Sequence, residues 1–240
     1  MKIDVLTLFP QMFKSPFEES IIKRAIKNKI IELEVHNLRD WAIDAYGSVD
    51  DKPFGGGVGM LIRPEPVYQA LEEIKAKRKT EKRKIILMSA KGKKFNQKMA
   101  EDWSKLDNLI VVAGHYEGFD QRIADFMVDE EISVGDYVLT GGELPAMIII
   151  DAVTRLLPGV LGKDESSSQE SWSQIEINGK KIRTKEYAQY TRPREFMGKS
   201  VPEVLIGGDP KKIKAWQIEQ IKNDLEQRKS KQSNTKKGHN

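Results

Sequence analysis

The chain has no cysteine in its 240 residues. That excludes a disulfide framework and any thiolate metal site. Histidine is almost as scarce. His36, His115 and His239 are too few and too scattered for a histidine-built centre, so no metal is expected. No apolar run approaches the ~18 residues of a membrane span. The longest, around Met147 to Ile150, is interrupted by Asp151. The N-terminus opens directly on a strand pattern rather than a secretory leader, so the expectation is a soluble cytoplasmic chain with no membrane partner. A dominant charge is missing too: 40 Lys and Arg face 36 Asp and Glu, a net of +4. Two stretches are more basic. One holds Lys75, Lys77, Arg78, Lys79, Lys82, Arg83 and Lys84 against Glu81 alone, and the other is the lysine-rich segment after Glu226. Each can contact phosphates or form an ordinary solvated face.

What is present is enough apolar residue, 39%, for a normal core, arranged in alternating periods. Ile3, Val5 and Leu6 read as a strand. Ser15-Pro16-Phe17-Glu18 reads as a capped helix start with the stripe Phe17, Ile21 and Ala25. Ile31, Leu33 and Val35 alternate with acids as in a half-exposed strand. Val67, Leu71 and Ile74 mark a helix, Ile85 to Met88 a buried strand, and Phe95, Met99 and Trp103 another helix. Leu109 to Ala113 is a strand, Arg122 to Phe126 a short helix, and Leu144 to Leu157 a nearly all-apolar helix carrying Arg155. Alternation of this kind predicts a doubly wound α/β domain around a parallel sheet, with ligands bound at the carboxyl ends of strands. The serine-rich run after Gly162 reads as a linker, Asn178-Gly179 as a hairpin turn, and Asp209-Pro210 as the start of a helix with the stripe Ile218, Ile221 and Leu225.

Glycine is concentrated where chemistry is expected. Ile132 to Ala146 contains an extended segment, a turn at Gly135-Asp136, and the pair Gly141-Gly142 before Glu143 and Pro145. Glycine removes the Cβ wall and lets a ligand approach the main chain. The run fits either a ligand read by backbone groups, with an adenine ring and a cationic centre, or a tight turn entering a helix. The loop Gly55-Gly56-Gly57-Val58-Gly59 lacks the ending of a P-loop, and the last glycine of a dinucleotide fingerprint is also missing. Nucleoside triphosphate and NAD sites are therefore not expected.

Five stretches in order resemble the TrmD-type bacterial tRNA (guanine-N1)-methyltransferases, a branch of the knotted SPOUT superfamily. They are Phe9 to Phe13, Val49 to Met60, Ala113 to Asp120, Ile132 to Ala146 and Leu156 to Gly162; Tyr190-Thr191-Arg192-Pro193 also matches. The resemblance runs from Met1 to about Leu225. It implies a SPOUT-type methyltransferase domain at 1–161, a parallel sheet with a deep trefoil knot in its second half, followed by a linker at 162–190 and a small, mainly helical tRNA-binding domain at 191–240. It implies an obligate homodimer that methylates N1 of the guanosine at tRNA position 37, with S-adenosylmethionine as donor. Another RNA target, or a non-catalytic RNA-binding module on the same fold, are the rival readings.

The same resemblance assigns residues. Cofactor contacts fall on Leu87, Gly114, Tyr116, Glu117, Val134, Gly135, Asp136, Tyr137, Val138, Leu139, Gly141, Gly142 and Pro145. The target guanosine falls to Asp50, Asp51, Gly57, Gly59 and Met60, with Arg192 on the tRNA. Arg155, read from the residues themselves, is a charge on a nearly all-apolar helix that must find a partner or a site, so it is expected either to form an interfacial salt bridge or to steady negative charge on guanine. Neutral guanine N1 carries a proton, so a carboxylate must remove it. The family places an aspartate there, before a serine and an aromatic. This chain has Glu170 before Ser171 and Trp172, one methylene longer, with Asp164 and Glu165 as weaker candidates.

Overall fold

A computed structural model describes residues 1–161, 170–172, 174–177 and 179–237. The chain divides into two compact units, 1–162 and 163–240.

In the first unit the strands are β1 (Lys2–Thr7), β2 (Glu32–Asn37), β3 (Asp50–Asp51), β4 (Leu61–Ile62), β5 (Arg83–Lys94), β6 (Asn108–Val112) and β7 (Glu130–Ser133). The helices are α1 (Lys14–Phe17), α2 (Ser20–Lys27), α3 (Pro64–Lys77), α4 (Gln97–Trp103), α5 (Gln121–Phe126) and α6 (Glu143–Thr154). Five strands form one sheet in the order β2-β1-β6-β5-β7, and every pairing in it is parallel. The expected doubly wound α/β architecture is therefore present.

The strand period of two sorts the core into two layers. Ile3, Val5, Ile86, Leu109 and Val111 face a cluster that includes Met99, Trp103, Ile149 and Val153. Leu6, Ile85, Leu87, Ile110 and Val112 face Val67, Leu71, Ile74 and Ile123 on the other side. Among the buried polar residues of this sheet, which include Thr7, Asn108 and Ser133, Asp4 is the charged one and is fully buried. His36 Nε2 lies 2.9 Å from its Oδ1, and Asn108 donates to its Oδ2 at 2.8 Å. Arg78, itself buried, donates from Nε to Asp4 and also binds Glu32 and Glu34. A charge taken from water in this way is tolerated only when paired and hydrogen-bonded. Burial works to raise the Asp4 pKa, but the bonds from His36, Arg78 and Asn108 and the Arg78 charge outweigh it, leaving the carboxyl below its ordinary value.

Two sequence expectations need correction. The helix expected to run from Ser15 is split. α1 ends at Phe17, Glu19 is extended (φ −128°, ψ 158°), and α2 restarts at Ser20. Phe13 and Phe17, one turn apart before the break, have ring centroids 6.0 Å apart, and after it Ile22 and Ala25 turn into the core. α6 stops at Thr154, three residues short of Leu157, so Arg155 caps the helix rather than lying within it. Pro158 follows, and the residue before a proline is driven out of helical geometry.

The second unit contains an antiparallel hairpin of β8 (Gln174–Ile177) and β9 (Lys180–Arg183), with Ile177 opposite Lys180. Its tight turn agrees with the sequence reading, and Gly179 takes φ +74° there. A second, shorter hairpin pairs β10 (Glu195–Phe196) with β11 (Lys199–Ser200). Helices α7 (Glu203–Ile206) and α8 (Pro210–Lys237) follow. The Asp209 carboxylate accepts from the Lys211 amide at 2.9 Å, capping α8 as expected. Tyr187 and Tyr190 approach Trp216, with ring centroids 6.4 and 6.5 Å away.

Candidate active site

The carboxyl ends of β5, β6 and β7 enclose a cavity of about 430 Å³. Its walls are Leu87 to Lys91 of β5, Gly114 to Gln121 after β6, Glu131 to Val134 at the end of β7, and Tyr137 to Gly142 with Pro145 at the entry to α6. Strand ends are where such a sheet opens a crevice. Of the residues assigned to a cofactor, Leu87, Gly114, Tyr116, Glu117, Val134, Tyr137, Val138, Leu139, Gly141, Gly142 and Pro145 all line this space.

The glycines have steric reasons to be there. The Gly142 amide donates to the Gly114 carbonyl at 2.7 Å. A Cβ on Gly142 would lie 2.8 Å from the Gly114 nitrogen and 2.9 Å from the Ala113 Cα. A Cβ on Gly141 would lie 2.7 Å from His115 Nδ1, and one on Gly114 would strike the Phe119 ring, 2.6 Å from its Cζ. Two backbone segments thus touch without side chains between them, which leaves main-chain groups to face a ligand.

Gly135 and Asp136 are not in the wall. Asp136 turns outward and pairs with Lys94. Gly135 acts indirectly, since a Cβ there would strike the Tyr137 ring that lines the cavity, 3.0 Å from its Cδ1. Cavity carboxylates come instead from Glu117, Asp120 and Glu131. Hydrogen bonding to the Arg122 guanidinium holds the Asp120 carboxyl below the usual carboxylate range. Tyr116 takes φ +59°, a left-handed conformation that costs a non-glycine residue about 1 kcal/mol or more. Its hydroxyl accepts from Arg39 at 3.3 Å.

The glycine loop docks on this wall. β3 and β4 pair antiparallel at its base, bringing Asp50 opposite Ile62 and Asp51 opposite Leu61. The Glu117 amide donates to the Met60 carbonyl at 3.1 Å, and the Ile62 amide donates to the Gly118 carbonyl at 2.9 Å. Gly59, at φ +88°, leaves room for the Glu117 side chain, since a Cβ would lie 2.8 Å from Glu117 Oε1. Asp51 is ion-paired with Arg63 at 3.4 Å and Asp50 is half-buried. Gly57 packs near Pro53, where a Cβ would find Cγ at 3.6 Å. Two stretches far apart in sequence therefore share one corner.

The remaining assigned residues belong to the end of α6 or to the second unit. Arg155 is half-buried at the far end of α6, about 15 Å from Pro145 along the helix axis. Glu170 is half-buried and belongs to the second unit with Arg192, which is exposed. The residues after Glu170 are held in place. The Trp172 amide donates to the Thr184 carbonyl at 2.6 Å, and Arg183 donates to the Trp172 carbonyl at 2.9 Å. Asp164 and Glu165 lie outside the described residues.

Sequence reasoning missed two features. Ser89, Ala90 and Lys91 line the cavity because β5 changes register against β7 between Met88 and Lys93. Gly92 lies against the backbone of Glu131 and Ile132, and a glycine inside a strand pattern is the signal that could have flagged this bulge. Glu143, read as a helix-entry acid, is buried beneath the glycine pair. It accepts from the Thr7 hydroxyl at 2.8 Å, with His115 Nδ1 3.9 Å from its other oxygen. No periodicity signals that contact.

The basic cluster at 75–84 is largely spent on the chain's own acids. Lys75 pairs with Glu72, Lys77 with Glu34, Lys84 with Glu130, and Arg78 with Asp4. Asp4, Glu34 and His36 bring ligand atoms within 4.8 Å of one another. The guanidinium of Arg78 already neutralises two of these three. Among the described residues, no helix is long and apolar enough to cross a membrane.

Comparison with known proteins agrees with this picture. Residues 1–234 match the family model described as "tRNA (Guanine-1)-methyltransferase TrmD". A tRNA (guanine-N(1)-)-methyltransferase of Dehalococcoides mccartyi strain BAV1 is 51% identical over 216 residues, covering 90% of this chain and 84% of the relative. Proteins of the same name from Geobacter sp. strain M21 and Staphylococcus carnosus strain TM300 are 47% and 48% identical. They align with 95% and 92% of this chain, and with 88% and 85% of their own lengths.

Proposed function

The chain belongs to the tRNA (guanine-N1)-methyltransferase family, and on that premise we propose that it methylates N1 of the guanosine at position 37 of tRNA, using S-adenosylmethionine. The observation that carries this reading is the cavity at the strand ends, walled by the glycine pair and the Gly114 to Phe119 loop and docked against the glycine loop. Its residues fit the donor. Close backbone contact at Gly142 leaves amides and carbonyls for an adenine edge, and Leu87, Val138, Leu139 and Pro145 supply apolar walls. Glu117, Asp120 and Glu131 suit a cationic centre. When bound, the donor supplies an electrophilic methyl group on sulfur.

The protein's residues would do the rest. Asp50 or Asp51 accepts from guanine N–H groups beside Gly59 and Met60. Glu170 takes the N1 proton, which turns N1 into a nucleophile. Arg155 offsets the negative charge left on the ring. Arg192 contacts tRNA outside the base.

A homodimer would reconcile Arg155 with the cavity. α6 exposes Leu144 and Ile148 at 50% and 47%, and Asp151 and Arg155 continue the same helical stripe at steps of three and four residues. A second copy packed on this stripe would cover the apolar pair and bring its own Arg155 toward the site. The deep trefoil knot is also part of this proposal. After the edge strand β7 the chain returns past Met88 and Gly114 to reach Thr7 on β1, a crossing that suits threading. Cytoplasmic location follows from a tRNA substrate.

Incubation with unmodified tRNA and isotopically labelled donor, followed by mapping of the modified nucleotide by mass spectrometry, tests the assignment. The expected product is N1-methylguanosine at position 37. Methylation at another nucleotide favours the broader RNA-methyltransferase reading, and none at all favours a binding module.

A further inference from the structure

Two aromatic side chains stand free at the tips of loops that are themselves firmly held. Tyr46 is 95% exposed and Phe54 is essentially fully exposed. Neither ring contacts another aromatic ring among the described residues. Their loops are nevertheless built. The Asp44 carboxylate accepts from the amides of Tyr46 and Ser48, both at 3.0 Å, which closes a turn with Tyr46 at its apex. Phe54 sits between the β3–β4 pair and a run in which Gly55, Gly56, Gly57 and Gly59 all take positive φ.

Both loops are tethered to one corner of the cavity. Arg39 donates to the Gly47 carbonyl at 2.9 Å and to the Tyr116 hydroxyl at 3.3 Å, tying the Tyr46 turn to Tyr116. Met60 and Gly59 tie the Phe54 loop to Glu117, the next residue. A free apolar patch for a protein partner would be contiguous. Here each ring stands on its own loop, and the exposed Val58 of the Phe54 loop is aliphatic; Lys52 lies two residues from Phe54, and Arg39 is bonded to the Tyr46 turn. Isolated aromatic faces interleaved with cations are what unpaired nucleic-acid bases stack on.

We propose that Tyr46 and Phe54 are stacking platforms for the unpaired RNA bases that neighbour the target guanosine. An enzyme that modifies a ring atom must take the base out of its stack, which leaves its neighbours without partners. Rings on tethered loops beside the cavity replace those lost contacts and hold the strand in register. This inference rests on the RNA-methyltransferase reading and assigns it two specificity residues.

The test uses the full chain and unmodified tRNA carrying the fluorescent base aminopurine beside the target guanosine. Binding to the wild-type protein should quench the fluorescence. Phe54→Ala and Tyr46→Ala should each abolish part of the quenching and weaken RNA binding by roughly tenfold to a hundredfold, the usual worth of one stacked base. Phe54→Trp and Tyr46→Phe should retain binding, while Phe54→Leu, apolar but not aromatic, should not. Affinity for S-adenosylhomocysteine, measured by calorimetry, should stay at the wild-type value in all five.

Leucine serving as well as tryptophan, or alanine variants that bind and quench like wild type, overturn the platforms while leaving the methyltransferase reading intact. So does an alanine variant that alters sedimentation but not RNA binding, because the ring then packs against a second copy. A wild-type protein that binds no tRNA overturns both.

Discussion

Gly142 concentrates the steric logic of the cavity in one residue. Its amide bonds Gly114, and no side chain fits between the two backbones. Gly142→Val should impose overpacking of about 1–3 kcal/mol, seen by calorimetry as roughly five- to a hundredfold weaker S-adenosylmethionine binding. Unchanged affinity would mean that this turn does not shape the donor site. Glu170 poses a chemical question instead. Glu170→Gln keeps the size and removes the basicity, so turnover should fall by about 10²–10⁴-fold with donor affinity unchanged. Glu170→Asp should retain much of the activity. A glutamine variant with wild-type single-turnover rates would move the base to another carboxylate. The residues after Glu170 are pinned to β9, so the extra methylene has to be absorbed before Ser171. Glu170 was nameable only through a motif, because a lone acid in a polar segment carries no periodic signal.

Among the elements, α6 does the most. Eight of its twelve residues are buried, which fits its nearly continuous apolar sequence. The exposed Leu144 and Ile148 break that pattern. The double variant Leu144→Glu, Ile148→Glu should dissociate the proposed dimer in sedimentation and abolish methyl transfer, while circular dichroism stays native. A variant that remains dimeric would place the interface on another face. β5 teaches the opposite lesson about legibility. Its apolar half, Ile85 to Met88, was plain in the sequence, but the strand continues to Lys94 through a register shift that aims Ser89 to Lys91 at the cavity. Charged residues in that extension hid it, because their pairing with β7 is decided by backbone hydrogen bonds and not by an apolar face.

At the scale of the whole molecule, the Asp4 network couples β1, β2, α3 and β6, and it sets a pH dependence of stability. The folded pKa of Asp4 lies below its ordinary value. Its contribution is therefore fully present above the ordinary carboxylate pKa, and is lost as pH falls through the lowered folded value. Asp4→Asn leaves the buried Arg78 short of a partner and should cost about 3–5 kcal/mol at neutral pH, reduced to the extent that Glu32 and Glu34 compensate. Urea titrations of both proteins should show this gap narrowing as the medium is acidified through the carboxylate range. A gap constant from pH 7 to acid would remove Asp4 as the titrating group.

The order of strands and helices, the parallel sheet and the glycine-bearing strand ends follow from the sequence by itself, because burial on both faces of a sheet and on one stripe of a helix imposes periods of two and about 3.6. Five ordered motifs likewise carry the family. Only the tertiary structure decided which of those stretches meet. It joined the glycine loop to Glu117, turned Asp136 out to Lys94, and buried Glu143 beneath the glycine pair. It also consumed most of the basic cluster at 75–84 in internal ion pairs. The physical reason is the same in each case. A local pattern records which face of an element is apolar, whereas a polar side chain's partner depends on which distant backbone the packed sheet brings within hydrogen-bond reach.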